Sequence, residues 1–163
     1  MGTFTDEQPP HASIVLPCFN EEEHVLLEVE RICTAMDKSG IGYELLAVDD
    51  GSTDQTLARL RRAEPDFPHL KVIHFHRNGG AGTVRRIGTQ QARGEIVVWT
   101  DADLTYPNER IGEFAAILDE DPTIDQVVGA RPCSVSASPR PSTTSWCTPG
   151  TSPTTPSWFS SRA

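Results

Sequence analysis

Two rhythms alternate along the first 131 positions. Short apolar runs end in acidic or turn-forming residues, and each is followed by a stretch whose apolar positions recur every three or four residues. The first rhythm marks buried strands and the second amphipathic helices. Strand one is predicted over Ala12 to Leu16, with Pro17 ending it by removing a ladder donor. A helix follows from about Glu22 to Lys38, with Val25, Leu26, Val29, Ile32, Cys33 and Met36 on one face and Gly40-Ile41-Gly42 as its stop. Strand two is predicted over Tyr43 to Val48. The next helix runs from about Asp54, a candidate cap, to Ala63, with Leu57 and Leu60 inward. Leu70 to His74 reads as strand three, Thr83 to Ala92 as a helix after a glycine loop, and Ile96 to Thr100 as strand four. Pro107-Asn108-Glu109 opens a helix carrying Ile111, Phe114, Ala115 and Leu118, and Asp125 to Gly129 reads as a fifth strand. This βα alternation predicts an α/β fold, a mostly parallel sheet with crossover helices in a Rossmann-like arrangement.

Parallel topology gathers strand ends at one edge, where open α/β sheets bind ligands. Three acidic clusters fall there: Asn20-Glu21-Glu22, Asp49-Asp50-Gly51-Ser52-Thr53-Asp54 and Asp101-Ala102-Asp103. In extended chain, residues i and i+2 point to the same side, so Asp101 and Asp103 can converge on one hard cation. Mg²⁺ and Mn²⁺ take such oxygen ligands and complete their shells with phosphate and water. The plainer alternative is that Asp103 caps the following Leu104-Thr105-Tyr106-Pro107. The loop Asn78-Gly79-Gly80-Ala81-Gly82-Thr83 suggests a phosphate cradle but lacks the Lys-Ser/Thr ending of a P-loop.

Taken in order, these segments resemble the nucleotide-sugar-binding half of inverting family 2 glycosyltransferases, with the GT-A fold, and within them the polyprenol- or dolichol-phosphate sugar synthases. The likeness rests on Leu16-Pro17-Cys18-Phe19-Asn20-Glu21, Val48-Asp49-Asp50-Gly51-Ser52-Thr53-Asp54, the glycine loop with Arg86-Ile87-Gly88, and Thr100-Asp101-Ala102-Asp103-Leu104, spread over about residues 12 to 131. It implies a hexosyltransferase that moves a sugar from a UDP- or GDP-sugar to a lipid phosphate. It also implies Mg²⁺ or Mn²⁺ held at Asp103 first, with Asp101 contacting the metal, a metal-bound water, the ribose or the sugar, and it makes these two the residues nearest the chemistry. Pro17, Phe19, Glu21, Val48, Asp50, Asp101, Ala102, Asp103 and Arg131 match donor-binding positions. Phe19 then packs on the base or in the core, and Asp50 meets the base or ribose; for Asp49 two readings stand side by side, a part in the site and a structural bond to the turn at Gly51-Ser52. The resemblance offers Arg86 as a further donor contact, against a plain exposed helix arginine. His74, His76 and Arg77 read as solvated strand and loop residues.

Composition narrows the picture. The 163 residues carry a net charge of −9, which disfavours a nucleic-acid surface. No apolar run approaches the roughly 20 residues that span a bilayer, and the polar N-terminus lacks a signal pattern. These features lead to the expectation of a cytoplasmic protein, including the cytoplasmic membrane face. Cysteines 18, 33, 133 and 147 show no metal-ligand spacing.

The chain then changes character. All its Asp and Glu lie before residue 132, and roughly two-thirds of residues 132–163 are Ser, Thr or Pro. The expected division is a flexible 1–11, a donor-binding domain over 12–131, and a disordered or frameshifted tail over 132–163. Two alternatives to an active transferase stay open. One is a truncated fragment with weak nucleotide binding. The other is a nucleotidyltransferase, although that class places its glycine-rich loop directly after strand one.

Overall fold

The computed structural model describes residues 9–129 and the strand Phe159–Arg162. In chain order the elements are β1 (Ala12–Cys18), α1 (Val25–Ser39), β2 (Tyr43–Asp49), α2 (Thr56–Ala63), β3 (Leu70–His74) and α3 (Ala81–Gln91). After them come β4 (Ile96–Trp99), a 3₁₀ turn (Asn108–Arg110), α4 (Ile111–Glu120), β5 (Gln126–Val127) and β6 (Phe159–Arg162). The sheet order is β3-β2-β1-β4-β6-β5. The first four strands pair in parallel, and β6 pairs antiparallel with both β4 and β5. This is the expected α/β class with a mostly parallel sheet.

Both faces of the sheet are covered, so the inner strands read as continuous apolar runs. On one face Ile14, Leu16, Leu45 and Val98 pack with Val25, Val29, Ile32 and Met36 of α1, Leu60 of α2, and Ile111 and Leu118 of α4. On the other, Val15, Leu46, Val48 and Val97 meet Val84 of α3. There Gly88 lies so close to the Val15 side chain that no Cβ fits between them.

Four expectations are corrected. Pro17 does not end β1: residues 17 and 18 stay in register with Val48 and Asp49. The carbonyls of His11 and Val15 accept from Ile96 and Thr100, so the odd positions of this strand face β4, and the β4 ladder stops at Val15. A proline at 17 therefore forfeits no ladder bond. Helix α1 starts at Val25, not Glu22, because Asn20 has φ +56° and a tight turn follows, with Glu21 O accepting from the amides of His24 and Val25. The predicted fifth strand is only two residues long and is separated from β4 by β6. That intervening strand comes from the Ser/Thr/Pro-rich segment, where no element was expected. Residues 1–8, 130–158 and 163 lie outside the described residues, so the remaining expectations for the N-terminus and the tail do too. Among the described residues no helix is long and apolar enough to cross a membrane.

Candidate donor-binding site

The C-terminal ends of β1, β2 and β4 open onto one small cavity of about 190 Å³. The end of β1 contributes Pro17, Cys18, Phe19 and Glu21, and the end of β2 contributes Asp50. Helix α3 adds Ala81 and Val84, and the segment after β4 adds Asp101, Ala102 and Asp103. Among the described residues, four carboxylates and no lysine or arginine line it. Two other surface grooves, one along α1 and one beside Trp99, gather no strand-end carboxylates.

The loops that carry these groups are stitched to one another. Asn20 N donates to Ser52 Oγ at 3.0 Å, and Thr53 N donates back to Asn20 Oδ1 at 2.9 Å. Glu21 N donates to Thr56 Oγ1 at 2.9 Å, and Glu22 N to Asp54 Oδ2 at 3.2 Å. Asp54 also caps the turn into α2 by accepting from Thr56 N at 2.9 Å. Gly51 has φ +73°, and a Cβ there would sit 3.0 Å from Asn78 N, so the turn after β2 requires glycine. Ser52, Thr53 and Asp54, three of the five residues of the Asp-Gly-Ser-Thr-Asp motif, are thus structural stitching between the first two strand ends.

The two adjacent aspartates have separate partners. Asp49, completely buried, accepts from His74 Nδ1 at 2.8 Å. It therefore does not bond the Gly51-Ser52 turn, and half-buried His74 is not a solvated residue. Asp50 takes the amides of Gly79 and Gly80, one on each carboxylate oxygen, both at 2.8 Å. Two of the loop's N–H groups are thereby satisfied within the protein, which weakens the phosphate-cradle reading. Cys18 lies against the same floor, where burial first, then the charges of Asp49 and Glu21, push its thiol pKa far up. It is an inert thiol at neutral pH.

Asp101 is half-buried, Ala102 buried and Asp103 exposed. The small middle residue packs into the core and turns both acids outward. Asp101 Oδ1 accepts from Arg85 Nη2 at 3.0 Å. Asp103 Oδ1 accepts from Thr105 N at 3.0 Å and from Thr105 Oγ1 at 2.6 Å. The local cap considered for Asp103 is therefore present, and it is made by one of its two oxygens. Phe19 is 45% exposed on the cavity wall, not packed in the core. Glu21 pairs with His24 at 3.2 Å.

One predicted residue, Val48, is not brought to this place. Val48 is fully buried on the α3 side of the sheet with Val15, Val84 and Val97, because β2 is covered on both faces. Arg131 lies outside the described residues. Arg85 was missed in favour of its exposed neighbour Arg86. Helix phase carries the signal: Val84 and Gly88 face the sheet, so Arg85, about 100° from Val84, sits at the margin of that face while Arg86 turns away.

A divalent cation fits this donor set. All the candidate ligands are hard carboxylate oxygens. Among the described residues no group of three or more His, Cys, Asp or Glu forms a metal cage. The protein would supply Asp101 and Asp103, with the rest of the shell left to substrate phosphate and water.

Comparison with known proteins agrees with this geometry. The family model described as glycosyl transferase family 2 matches residues 13–159. Relatives include the undecaprenyl-phosphate 4-deoxy-4-formamido-L-arabinose transferase of Pectobacterium carotovorum, 37% identical over 110 residues, which are 65% of this chain and 34% of that protein. The dodecaprenyl-phosphate galacturonate synthase of Rhizobium johnstonii is 35% identical over 131 residues, 80% of this chain and 38% of that one. The chain thus spans about a third of the length of the curated relatives it matches. Among solved structures, the mannosyltransferase of Pyrobaculum calidifontis in complex with GDP-Man and Mn²⁺ superposes with a TM-score of 0.64 at 26% identity, over 77% of this chain and 36% of that one. The S. aureus TarS 1–349 complex with UDP-GlcNAc gives 0.56 at 30% identity, over 67% of this chain and 31% of that one. With a family match across most of its length and the GT-A arrangement of its sheet, this chain belongs to glycosyl transferase family 2.

Proposed function

We propose that this chain is the donor-binding part of an inverting glycosyltransferase that moves a sugar from a UDP- or GDP-sugar to a polyprenyl phosphate, using Mg²⁺ or Mn²⁺. One observation carries the reading: four carboxylates, only one of them paired with an arginine, line a cavity at three strand ends to which no lysine or arginine among the described residues contributes. Such a cavity repels a diphosphate unless a cation stands between them. Asp103 and Asp101 hold that cation, and Arg85 keeps Asp101 in place. When bound, the metal neutralises the diphosphate and stabilises the departing nucleoside diphosphate. Phe19 offers an exposed ring to the face of the base, and Glu21 an acceptor to ribose or base. Asp50 shapes the opposite wall by fixing the glycine loop. A phosphate acceptor is already ionised at neutral pH, so it needs no strong base from the protein. The names of the polyprenyl-phosphate relatives support a lipid phosphate acceptor.

Calorimetric titration of UDP and GDP with and without Mn²⁺ tests this. Mn²⁺ is expected to strengthen nucleotide binding, and Asp103→Ala to abolish that enhancement while the fold persists. Nucleotide binding that ignores Mn²⁺, or an Asp103→Ala variant that keeps the enhancement, refutes the assignment.

A further inference from the structure

Behind the cavity runs a buried polar chain that donor binding does not use. Glu28, on the inner side of α1, is completely buried. Burial pushes its carboxyl pKa up, against the hydrogen bonds of Asn108 and Arg31. A carboxylate removed from water is costly unless its oxygens are bonded, and both of these are. Oε1 accepts from Arg31 Nη1 at 2.6 Å, and Oε2 from Asn108 Nδ2 at 2.5 Å. Asn108, also completely buried, accepts on its Oδ1 from the Thr100 hydroxyl. Thr100 immediately precedes Asp101, and its amide donates to Val15 O at 3.2 Å. Arg31 reaches the far side of the same segment, donating to Tyr106 O at 3.3 Å and to Glu109 Oε2 at 2.7 Å.

Both ends of the segment 101–107 therefore terminate on one carboxylate of α1. Between them Leu104 has φ +61°, a backbone state that a leucine rarely adopts. Such a state persists only where its surroundings over-determine it. An apolar core of equal volume would hold α1 to the sheet at least as well. The polar chain adds directionality, and it is directed at the one segment that carries the metal-site carboxylates.

We infer that the Glu28–Asn108–Thr100 hydrogen-bond chain is a positioning device that sets the Asp101-Ala102-Asp103 segment for a divalent cation, an inference that rests on the donor-site reading above. Glu28, Asn108 and Thr100 are positioning residues and none of them lines the cavity. Groups bonded directly to metal ligands are worth about 10- to 100-fold in metal affinity, and a chain that acts one residue before Asp101 is expected at the lower end.

The test uses the 163-residue chain with Thr100→Val, which keeps the branched shape and removes the hydroxyl, and Thr100→Ser, which restores it. UDP and GDP are titrated with and without Mn²⁺, with Asp103→Ala as the reference for complete loss. Thr100→Val is expected to cut the Mn²⁺ enhancement about tenfold while metal-free nucleotide affinity holds, and Thr100→Ser is expected to keep the enhancement. Full enhancement in Thr100→Val, even with a lowered melting temperature, marks a packing role only and overturns the inference, leaving the donor reading intact. Absence of any enhancement in the unmodified chain removes the donor reading and this inference with it. Should Thr100→Val fail to fold, Glu28→Gln decides. Its amide offers one acceptor oxygen where two are used, so a reduced enhancement supports the chain and an unchanged one overturns it.

Discussion

At the residue scale, the adjacent carboxylates of Asp49 and Asp50 have different tasks. Asp49 takes His74 on the neighbouring strand, and its Oδ1 makes no hydrogen bond among the described residues. Asp50 holds two amides of the glycine loop. Asp50→Asn presents an NH₂ group to one of those N–H donors, so one bond to a loop amide that is not fully buried is lost at a cost of about 1 kcal/mol. Both the urea midpoint and nucleotide affinity are expected to fall, because the loop forms one wall of the cavity. A fall in affinity with no change in stability would instead make Asp50 a direct ligand contact. The sequence made Glu21, Phe19, Asp50, Asp101 and Asp103 legible because strand ends in a parallel sheet share an edge. It did not separate Val48 from them, since a strand covered on both faces has no polar alternation to show which side a residue faces. Nor did it reveal that Asp50 is engaged by backbone amides 29 and 30 residues away, a contact that no local pattern encodes.

At the element scale, α3 is the part whose placement matters most to the site. It carries Arg85 to Asp101 and begins in the loop that Asp50 holds. Its approach to β1 is set by Gly88, where any Cβ overlaps the Val15 side chain. In an isolated helix, Gly to Ala gains up to about 1 kcal/mol. Here Gly88→Ala is expected to destabilise the fold by about 1–3 kcal/mol through overpacking. It should also loosen the Arg85–Asp101 pair as α3 moves outward. A urea midpoint at or above that of the unmodified chain would show that the sheet yields to the added methyl. The helices and the first four strands were legible in sequence because their periods are long and clean. Their margins were not: the starts of α1 and α3 depend on positive φ at Asn20 and Gly80. Strand β6 carries no apolar period at all. Only its backbone pairing with β4 and β5 defines it.

At the scale of the whole molecule, the sheet has a working end and a locking end. The acidic strand ends form the first. At the second, the buried carboxylate of Glu44 on β2 accepts from Ser13 Oγ of β1 at 2.7 Å, Lys71 Nζ of β3 at 3.1 Å and Arg93 N ahead of β4 at 2.8 Å. One carboxylate thus joins four consecutive strands opposite the site. Charge patterning alone did not reveal this, because Glu44 reads as one acid among many until the strand order places Ser13, Lys71 and Arg93 around it. Burial by itself raises the pKa of Glu44, but the bonds from Ser13, Arg93 and Lys71 outweigh it and hold the carboxyl below its usual range. Asp54 follows the same balance, with the bonds from Thr56 and Glu22 prevailing over burial. A carboxylate whose folded pKa is depressed contributes stability that is fully present above its unfolded pKa and is lost as pH falls through the folded value. Glu28, raised chiefly by burial, has the opposite sign: its contribution is largest when it is protonated and is lost as pH rises through its folded value. The urea midpoint is therefore expected to decline below about pH 4, the unfolded range of Asp and Glu. Glu44→Gln should lower the midpoint at pH 7 and flatten the acid limb, because the amide has no proton to gain. An acid limb of unchanged slope in Glu44→Gln would assign the linkage to the remaining carboxylates and leave Glu44 a neutral packing partner.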